Sequence, residues 1–237
     1  MEFTGERAVE GKTPERIWRD HIARYEFAAG FVAGKKVLDA ACGTGYGAKL
    51  LYDSGAESVT GADISAEAVA FAREKYRGES LRYVEGALAN IPFPGGHFDI
   101  AVSFETIEHV ADRGAAIAEF CRVLKPGGVL LISSPNRLLT SPGKPAGARP
   151  DNPNHVFEYD RAGFVSELSA HFRVVSMYGQ HPKNKICFVP LLEKFFWHFT
   201  PGIYRPQPGG SRLEKMSFWS EYRYMTAVCE KAGGELK

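Results

Sequence analysis

Two short stretches pair a histidine with a carboxylate in a way that could move a proton. His155 stands three residues before Glu158, and His109 directly follows Glu108. A neutral imidazole titrates near pH 7 and can accept the proton of a hydroxyl group, while a nearby carboxylate orients its ring. His155 could equally be a surface residue of a loop, and a structural or cofactor-side role is favoured for His109. The spacing therefore indicates two candidate bases, and it leaves non-catalytic roles open for both histidines.

The most informative motif of the sequence is a run of three alternating glycines, Gly43, Gly45 and Gly47, directly after the apolar segment 36–41. The apolar segment predicts a buried strand, and residues 48–52 continue in a helical pattern. Glycine suits a turn where the backbone passes close to a ligand, and a helix that starts there offers free N–H groups. A flexible loop would also explain the glycines alone. With the strand and helix around them, they predict a ligand-binding turn.

The next predicted strand, residues 57–63, ends in an acid. Asp63 lies about twenty residues beyond the turn, where nucleotide-binding folds place the carboxylate that binds ribose hydroxyls. Asp63 could instead only precede the helix that Ser65 is expected to cap. The distance from the glycine turn favours ribose binding.

The glycine spacing departs from the G-x-G-x-x-G dinucleotide fingerprint. The run Asp39-Ala-Ala-Cys-Gly-Thr-Gly-Tyr-Gly47 resembles motif I of the class I S-adenosylmethionine-dependent methyltransferases, and the likeness extends over roughly residues 35–135. Further matching segments are 86–93, 98–110 and 124–128. The resemblance implies an α/β, Rossmann-like doubly wound sheet, mostly parallel with an antiparallel last strand and helices on both faces. It also implies S-adenosyl-L-methionine as cofactor and methyltransferase activity.

The resemblance also assigns the cofactor-binding residues of this chain. These are Asp39, Ala41, Gly43, Gly45, Asp63, Ile64, Ala87, Leu88, Phe104 and Glu105. Position 87 departs from the family pattern, in which an acid frequently receives the adenine amino group, so Ala87 and Leu88 are expected to contribute backbone contacts only. A leading helix that ends near Gly30 brings Arg24 and Tyr25 towards the methionine carboxylate or the acceptor. Core packing for Tyr25 and a solvated surface charge for Arg24 are equal alternatives.

Transfer of a methyl group from a sulfonium ion is an in-line displacement, so the protein must mainly align the two partners. A base is needed only where the acceptor holds a proton firmly, as a hydroxyl does. His155, oriented by Glu158, is the first candidate for that base, and His109 and Tyr25 follow.

The chain is expected to divide into three parts. Residues 1–34 form an N-terminal arm and a helix over the cofactor site. The first dozen residues of the arm are expected to be mobile, and Thr13 is expected to cap the helix, with Pro14 at the first helical position. Residues 35–180 and 221–237 form the methyltransferase domain, whose long loop 135–155 faces the acceptor. Residues 181–220 form an aromatic-rich inserted cap, with a homodimer surface or a lipid contact as alternatives.

The resemblance implies a small-molecule acceptor that is methylated on an O or N atom, such as a sugar, a glycan precursor, a quinone or a secondary metabolite. A net charge of +1 gives no overall field for nucleic acid, in agreement with this expectation. RNA or protein methylation and a catalytically idle S-adenosylmethionine-binding module are the alternatives. The four cysteines are scattered, which predicts free thiols with neither a disulfide nor a metal site. An apolar leader and a transmembrane run are both missing from the sequence pattern, so a cytoplasmic location is expected.

Overall fold

Apolar segments alternate with helical ones along the chain and assemble into a single sheet. The computed structural model describes residues 7–184, 211–218 and 220–233. The strands are β1 (Lys36–Ala40), β2 (Ser58–Asp63), β3 (Leu81–Glu85), β4 (Phe98–Ser103), β5 (Leu124–Pro135), β6 (Arg173–Asn184), β7 (Glu214–Lys215) and β8 (Ser220–Glu230). The helices are α1 (Glu15–Ala29), α2 (Tyr46–Asp53), α3 (Ala66–Lys75), α4 (Arg113–Val123), α5 (Arg137–Thr140) and α6 (Arg161–Leu168), with a 3₁₀ turn at Ile107–His109.

The strands lie in the order β3-β2-β1-β4-β5-β8-β6-β7. Neighbours from β3 to β5 are parallel, and β8 runs antiparallel between β5 and β6. This confirms the predicted α/β fold with a mostly parallel sheet and an antiparallel last strand. The short β7 pairs with β6 and lies within the segment that was predicted to be an insertion.

Helices cover both faces of the sheet because strand side chains alternate in direction. On β1, Leu38 belongs to a buried cluster that α4 and α6 complete, whereas its neighbour Val37 belongs to a second cluster completed by α1, α2 and α3. Both side chains are almost fully buried. The carboxyl ends of the parallel strands stay uncovered between these layers, and the site lies there.

The predicted helix starts at Ser65, Asp112 and Asp160 are confirmed. Each side chain accepts a hydrogen bond from a backbone N–H three residues later. The prediction for Thr13 was wrong, because its hydroxyl accepts the N–H of Val9 and Pro14 directly precedes α1.

The described part of the N-terminal arm, residues 7–12, differs from the mobile arm that its polar sequence predicted. Ala8 and Val9 are buried, and the hydroxyl of Thr44 donates to the carbonyl of Ala8 at 2.8 Å. A contact with the glycine turn thus fixes this part of the arm, and its sequence partner lies too far along the chain to be inferred locally.

Two further segments differ from prediction. The loop 135–155 begins with the short helix α5, which Asn136 caps by accepting the N–H of Leu138. Strand β6 runs on to Asn184, past the expected boundary at 180, because β8 pairs with it as far as Ser220. Most of the predicted aromatic-rich cap, with its homodimer and lipid-contact alternatives, falls outside the described residues, which omit 185–210. Within the described residues, no helix is long and apolar enough to span a membrane.

Candidate active site

The carboxyl ends of β1, β2 and β4 lie side by side because these strands are parallel neighbours. The turns that follow them enclose a cavity of about 180 Å³, named here the cofactor cavity. Two residues of its lining, Ala41 and Glu105, have positive φ angles of 63° and 50° without being glycine. Such a backbone is costly for residues with a side chain and persists where the surroundings hold it, often at functional sites.

Asp63 connects the glycine turn to β2. Its Oδ2 accepts the N–H of Gly43 at 2.9 Å, and its Oδ1 accepts the N–H of Ser65 at 2.9 Å. Gly43 has φ of 55°, which a residue with a side chain adopts only with strain. The guanidinium of Arg7 lies 3.8 Å from Oδ1. Asp63 therefore shapes the turn while it lines the cofactor cavity.

Tyr25 and Asp39 form a buried pair behind that cavity. The hydroxyl of Tyr25 donates to Oδ1 of Asp39 at 3.0 Å, and both residues are almost fully buried. Burial raises the pKa of Asp39 to about 7, and burial followed by the charge of Asp39 raises the pKa of Tyr25 well above its ordinary value. The Tyr25 hydroxyl is engaged with Asp39 and is poorly suited to accept a proton from an acceptor.

A second cavity of about 300 Å³, named here the acceptor cavity, adjoins the first. Polar residues from α1, from the turn after β4 and from the loop before α6 line it together with Arg223 and Tyr224 of β8. His21, Glu105 and His109 line both cavities. Any group carried between the two cavities must therefore pass these three side chains.

His155 and Glu158 meet in the acceptor cavity. Nδ1 of His155 lies 2.6 Å from Oε1 of Glu158, and its Nε2 lies 2.9 Å from Nδ2 of Asn152. The other carboxylate oxygen of Glu158 accepts the hydroxyls of Thr140 and Ser141, each at 2.7 Å. Burial by itself raises the pKa of Glu158, but the hydrogen bonds from His155, Thr140 and Ser141 lower it overall. The carboxylate is therefore charged and holds the imidazole in one orientation.

His109 stands beside this pair. Its ring lies edge-on to that of His155 with centroids 4.9 Å apart, and its Nδ1 lies 2.9 Å from the carbonyl oxygen of Asn154. Glu108 is 1% exposed, and its Oε1 lies 3.9 Å from Nε2 of His109. Burial, and next the charge of Glu105, raise the pKa of Glu108 well above its ordinary value.

Helix α1 supplies a buried arginine to the acceptor cavity. Arg24 is 1% exposed, donates to Oε1 of Gln180 at 2.5 Å and lies over the ring of Tyr224. Arg24, Glu105 and Glu108 line this cavity together, and the charge of Arg24 lowers the pKa of Glu108 against the larger effect of burial.

Known proteins resemble this chain both in sequence and in fold. A family model described as a methyltransferase domain matches residues 38–132. Over 181 residues the chain is 40% identical to a probable S-adenosylmethionine-dependent methyltransferase of Mycolicibacterium smegmatis, a match that covers 76% of this chain and 68% of the relative. The chain belongs to the S-adenosylmethionine-dependent methyltransferases.

Two other likenesses concern part of the sequence and the overall fold. The ubiquinone/menaquinone biosynthesis C-methyltransferase of Shewanella halifaxensis is 41% identical over 125 residues, or 49% of this chain and 48% of that protein. A solved structure from Pyrococcus horikoshii shares the fold with a TM-score of 0.64 at 19% identity, covering 97% of this chain and 96% of the other. The chain thus spans about two thirds of the mycobacterial relative and about half of the quinone methyltransferase.

The cofactor cavity of this methyltransferase suits S-adenosylmethionine by its donor set. Helix α2 begins at the glycine turn and directs its N-terminal N–H groups towards that edge of the sheet. Ile64 lines the cavity and is 71% exposed, so its apolar side chain is accessible to a ligand bound there. Asp63 and Glu105 add two carboxylates that complement a sulfonium charge and ribose hydroxyls.

The structure brings together most of the predicted cofactor residues of this methyltransferase. Those that line the cofactor cavity are Ala41, Gly43, Asp63, Ile64, Phe104 and Glu105. Asp39 and Gly45 lie behind the turn, where Asp39 meets Tyr25 and the carbonyl of Gly45 accepts the hydroxyl of Tyr83. Ala87 and Leu88 lie outside the cavity lining, and Leu88 packs against a buried cluster.

Several residues of the site were not predicted from the sequence. Arg7 and Ala8 line the cofactor cavity although the arm was expected to be mobile. The hydroxyl of Ser133 on β5 donates to Glu105 at 2.6 Å, and no motif marks it. Asn152 had a signal, since it lies in the loop that was predicted to face the acceptor.

Proposed function

We propose that this methyltransferase transfers the methyl group of S-adenosylmethionine to a hydroxyl oxygen of a small, polar acceptor bound in the acceptor cavity. The observation that carries the proposal is the shared lining of the two cavities by His21, Glu105 and His109. The shared lining supports the proposal because in-line displacement requires donor and acceptor to be bound next to each other.

The size and polarity of the acceptor cavity support a small hydroxylated acceptor. About 300 Å³ is at the lower end of the range for small-molecule sites, which fits one or two rings or the reactive end of a longer molecule. Its lining contains carboxylates, imidazoles, an amide and arginines, which together offer both donors and acceptors for hydrogen bonds with hydroxyl groups. A sugar or glycan precursor fits this lining better than an apolar quinone.

Residues of this chain serve the two demands of the reaction, orientation and loss of a proton. When bound, S-adenosylmethionine supplies a methyl group that is already activated by positive charge. The role predicted for His155, removal of the hydroxyl proton, is supported by the hydrogen bond that Glu158 accepts from its Nδ1 side at 2.6 Å. In that tautomer the lone pair of Nε2 accepts the side-chain N–H of Asn152 at 2.9 Å, so removal of the proton requires the acceptor hydroxyl to replace this amide.

Methyl-labelled S-adenosylmethionine and a panel of sugars, phenols, quinones, amines and tRNA test the proposal. We expect label in hydroxyl compounds, as ethers that survive mild alkali. Label found only in amines, protein or RNA would contradict the proposed acceptor, and label in nothing would favour a binding module.

A variant at Glu158 tests the acceptor cavity separately. Glu158→Gln weakens the orientation of His155, and we expect kcat to fall 10- to 100-fold while the affinity for S-adenosylmethionine stays unchanged. Glu79→Gln, an exposed position far from the site, is the matched control. Native turnover in Glu158→Gln would remove the pair from the reaction.

A further inference from the structure

Three potential metal ligands meet in the wall of the acceptor cavity. Glu108, His109 and His155 each place one ligand atom so that the three atoms lie within 4.8 Å of one another. Backbone hydrogen bonds hold the two segments together, since the N–H groups of Val156 and Phe157 both donate to the carbonyl of Glu108, at 2.8 Å and 3.2 Å. These backbone hydrogen bonds therefore hold the segment that carries His155 next to the segment that carries Glu108 and His109.

Both histidines are held in the way that metal-binding histidines usually are. Nδ1 of His155 contacts the Glu158 carboxylate at 2.6 Å, and Nδ1 of His109 contacts the carbonyl oxygen of Asn154 at 2.9 Å. Because both partners are acceptors, each Nδ1 must carry the proton, which leaves the lone pair on Nε2. A carboxylate or a backbone carbonyl on the far nitrogen fixes the tautomer and the direction of a ligating imidazole.

The third ligand is a buried carboxylate with an unsatisfied oxygen. Glu108 is 1% exposed, and among the residues that the structure describes no hydrogen-bond partner lies in reach of its Oε2. Buried carboxylates are normally hydrogen-bonded, paired with a cation or bound to a metal. The nearby carboxylates of Glu105 and Glu158 add to the local negative charge, and the buried Arg24 in the same lining offsets part of it.

We propose that Glu108, His109 and His155 bind a divalent transition-metal ion in the wall of the acceptor cavity, and that this ion binds two adjacent hydroxyl groups of the acceptor. Two imidazoles and one carboxylate suit Zn²⁺, Mn²⁺ or Co²⁺ better than the hard ions Mg²⁺ and Ca²⁺. Three protein ligands leave coordination positions for a pair of oxygens. The inference deepens the proposed function by narrowing the acceptor to a vicinal diol, as in a sugar or a catechol.

The ion would change how the hydroxyl loses its proton. A divalent cation lowers the pKa of an oxygen that it contacts by several units, as it does for bound water. The hydroxyl proton then passes to water. The oxygen forms its bond to the methyl carbon while the carbon–sulfur bond breaks, and the electrons of that bond return to sulfur to give a neutral thioether. The ion is not consumed.

This role and direct proton removal by His155 exclude each other, because both need the lone pair of Nε2. Metal binding would also replace the contact of 2.9 Å between that nitrogen and Asn152. The scattered cysteines predicted no metal site, and the present ligand set contains no cysteine. His109 and His155 are also too far apart in sequence for any spacing rule to join them.

Titration of MnCl₂ into the full chain, treated first with a chelator and then dialysed, tests the site without any acceptor. We expect one ion per chain, and binding at least tenfold weaker in Glu108→Gln and in His109→Asn. His97→Asn, outside both cavities, is the matched control and should bind as the native chain does. Co²⁺ should give a visible absorption band in the native chain that is lost in His109→Asn. Circular dichroism verifies that each variant is folded.

The outcomes separate this inference from the proposed function. Absence of stoichiometric binding, or native binding in Glu108→Gln, overturns the metal site. Equal methylation of a diol before and after complete metal removal overturns its role and leaves His155 as a direct base. Stoichiometric binding that Glu108→Gln abolishes supports the site even if every hydroxyl acceptor fails, in which case the proposed function alone falls.

Discussion

A methyl group added at Gly47 should break the hydrogen bond between Tyr25 and Asp39 behind the cofactor cavity. Gly47 is the second residue of α2, and a Cβ there would lie 2.0 Å from Cζ and 2.2 Å from Cε1 of Tyr25. The ring has no room to withdraw, because it is 5% exposed and lies edge-on against Tyr46 and Phe104 with centroids 5.5 Å and 5.2 Å away. Gly47→Ala must therefore displace the ring and with it the hydroxyl that donates to Asp39.

The magnitude follows from three contributions. Overpacking a filled site costs about 1–3 kcal/mol, and leaving the buried Asp39 without its donor costs about 1–3 kcal/mol. Alanine in a helix recovers about 0.5–1 kcal/mol relative to glycine. We expect a net loss of about 1–5 kcal/mol for Gly47→Ala, together with a weaker affinity for S-adenosylmethionine.

Gly114→Ala is the matched control. Gly114 is also the second residue of its helix, α4, and the nearest atom to an added Cβ is Oδ1 of Asp112 at 3.8 Å. It should gain about 0.5–1 kcal/mol, the helix contribution alone. Urea unfolding followed by circular dichroism gives both values, and calorimetry gives the cofactor affinity.

Two results would refute the reasoning. The first is a Gly47→Ala variant as stable as Gly114→Ala. The second concerns the double variant Tyr25→Ala/Gly47→Ala, in which the removed ring makes room for the added methyl group. Its loss of stability should be smaller than the two single losses together, and strict additivity would show that the ring is not what the methyl group meets.

The remaining predictions concern two acids and can be tested on the same preparations. Asp63→Ala removes the acceptor of two backbone N–H groups and the predicted ribose contacts, each worth about 1.5–3 kcal/mol, so the affinity for S-adenosylmethionine should fall at least tenfold by calorimetry. Unchanged affinity would remove Asp63 from the cofactor site. For Asp39, whose pKa burial raises from 3.8 to about 7, the folded state favours the protonated form. Its contribution to stability is therefore complete below pH 3.8 and is lost as the pH rises through 7, at most about 4 kcal/mol. Asp39→Asn should flatten the decline of the urea midpoint between pH 5 and pH 8, and an unchanged slope would contradict the assignment.

Local signals in the sequence predicted much of the fold. The caps at Ser65, Asp112 and Asp160 could be found because each side chain bonds to a backbone group three residues away. The burial of Ala8 and Val9 could not, because it depends on a hydroxyl at Thr44 in another part of the chain. The order of the strands came from a family resemblance and not from any single segment.

The candidate site divides in the same way. His155 and Glu158 were paired correctly because three residues separate them. The approach of His155 to Glu108 and His109 depends on backbone hydrogen bonds between distant segments, which no spacing rule contains. Tyr25 was expected either near the cofactor or the acceptor or in the core, and the structure shows its hydroxyl bonded to the buried Asp39.

The position of β8 has a consequence for the order in which the chain folds. β8 lies between β5 and β6, and β6 pairs only with β8 and the two-residue β7 among the described strands. During synthesis, β1 to β5 can assemble as soon as they emerge, whereas β6 must wait until residues 220–230 have left the ribosome. Until then, β5 and β6 both present unpaired edges, which are the parts of a sheet most prone to aggregation. The interval before β8 inserts between them is therefore the stage of folding at which a chaperone would most reduce aggregation.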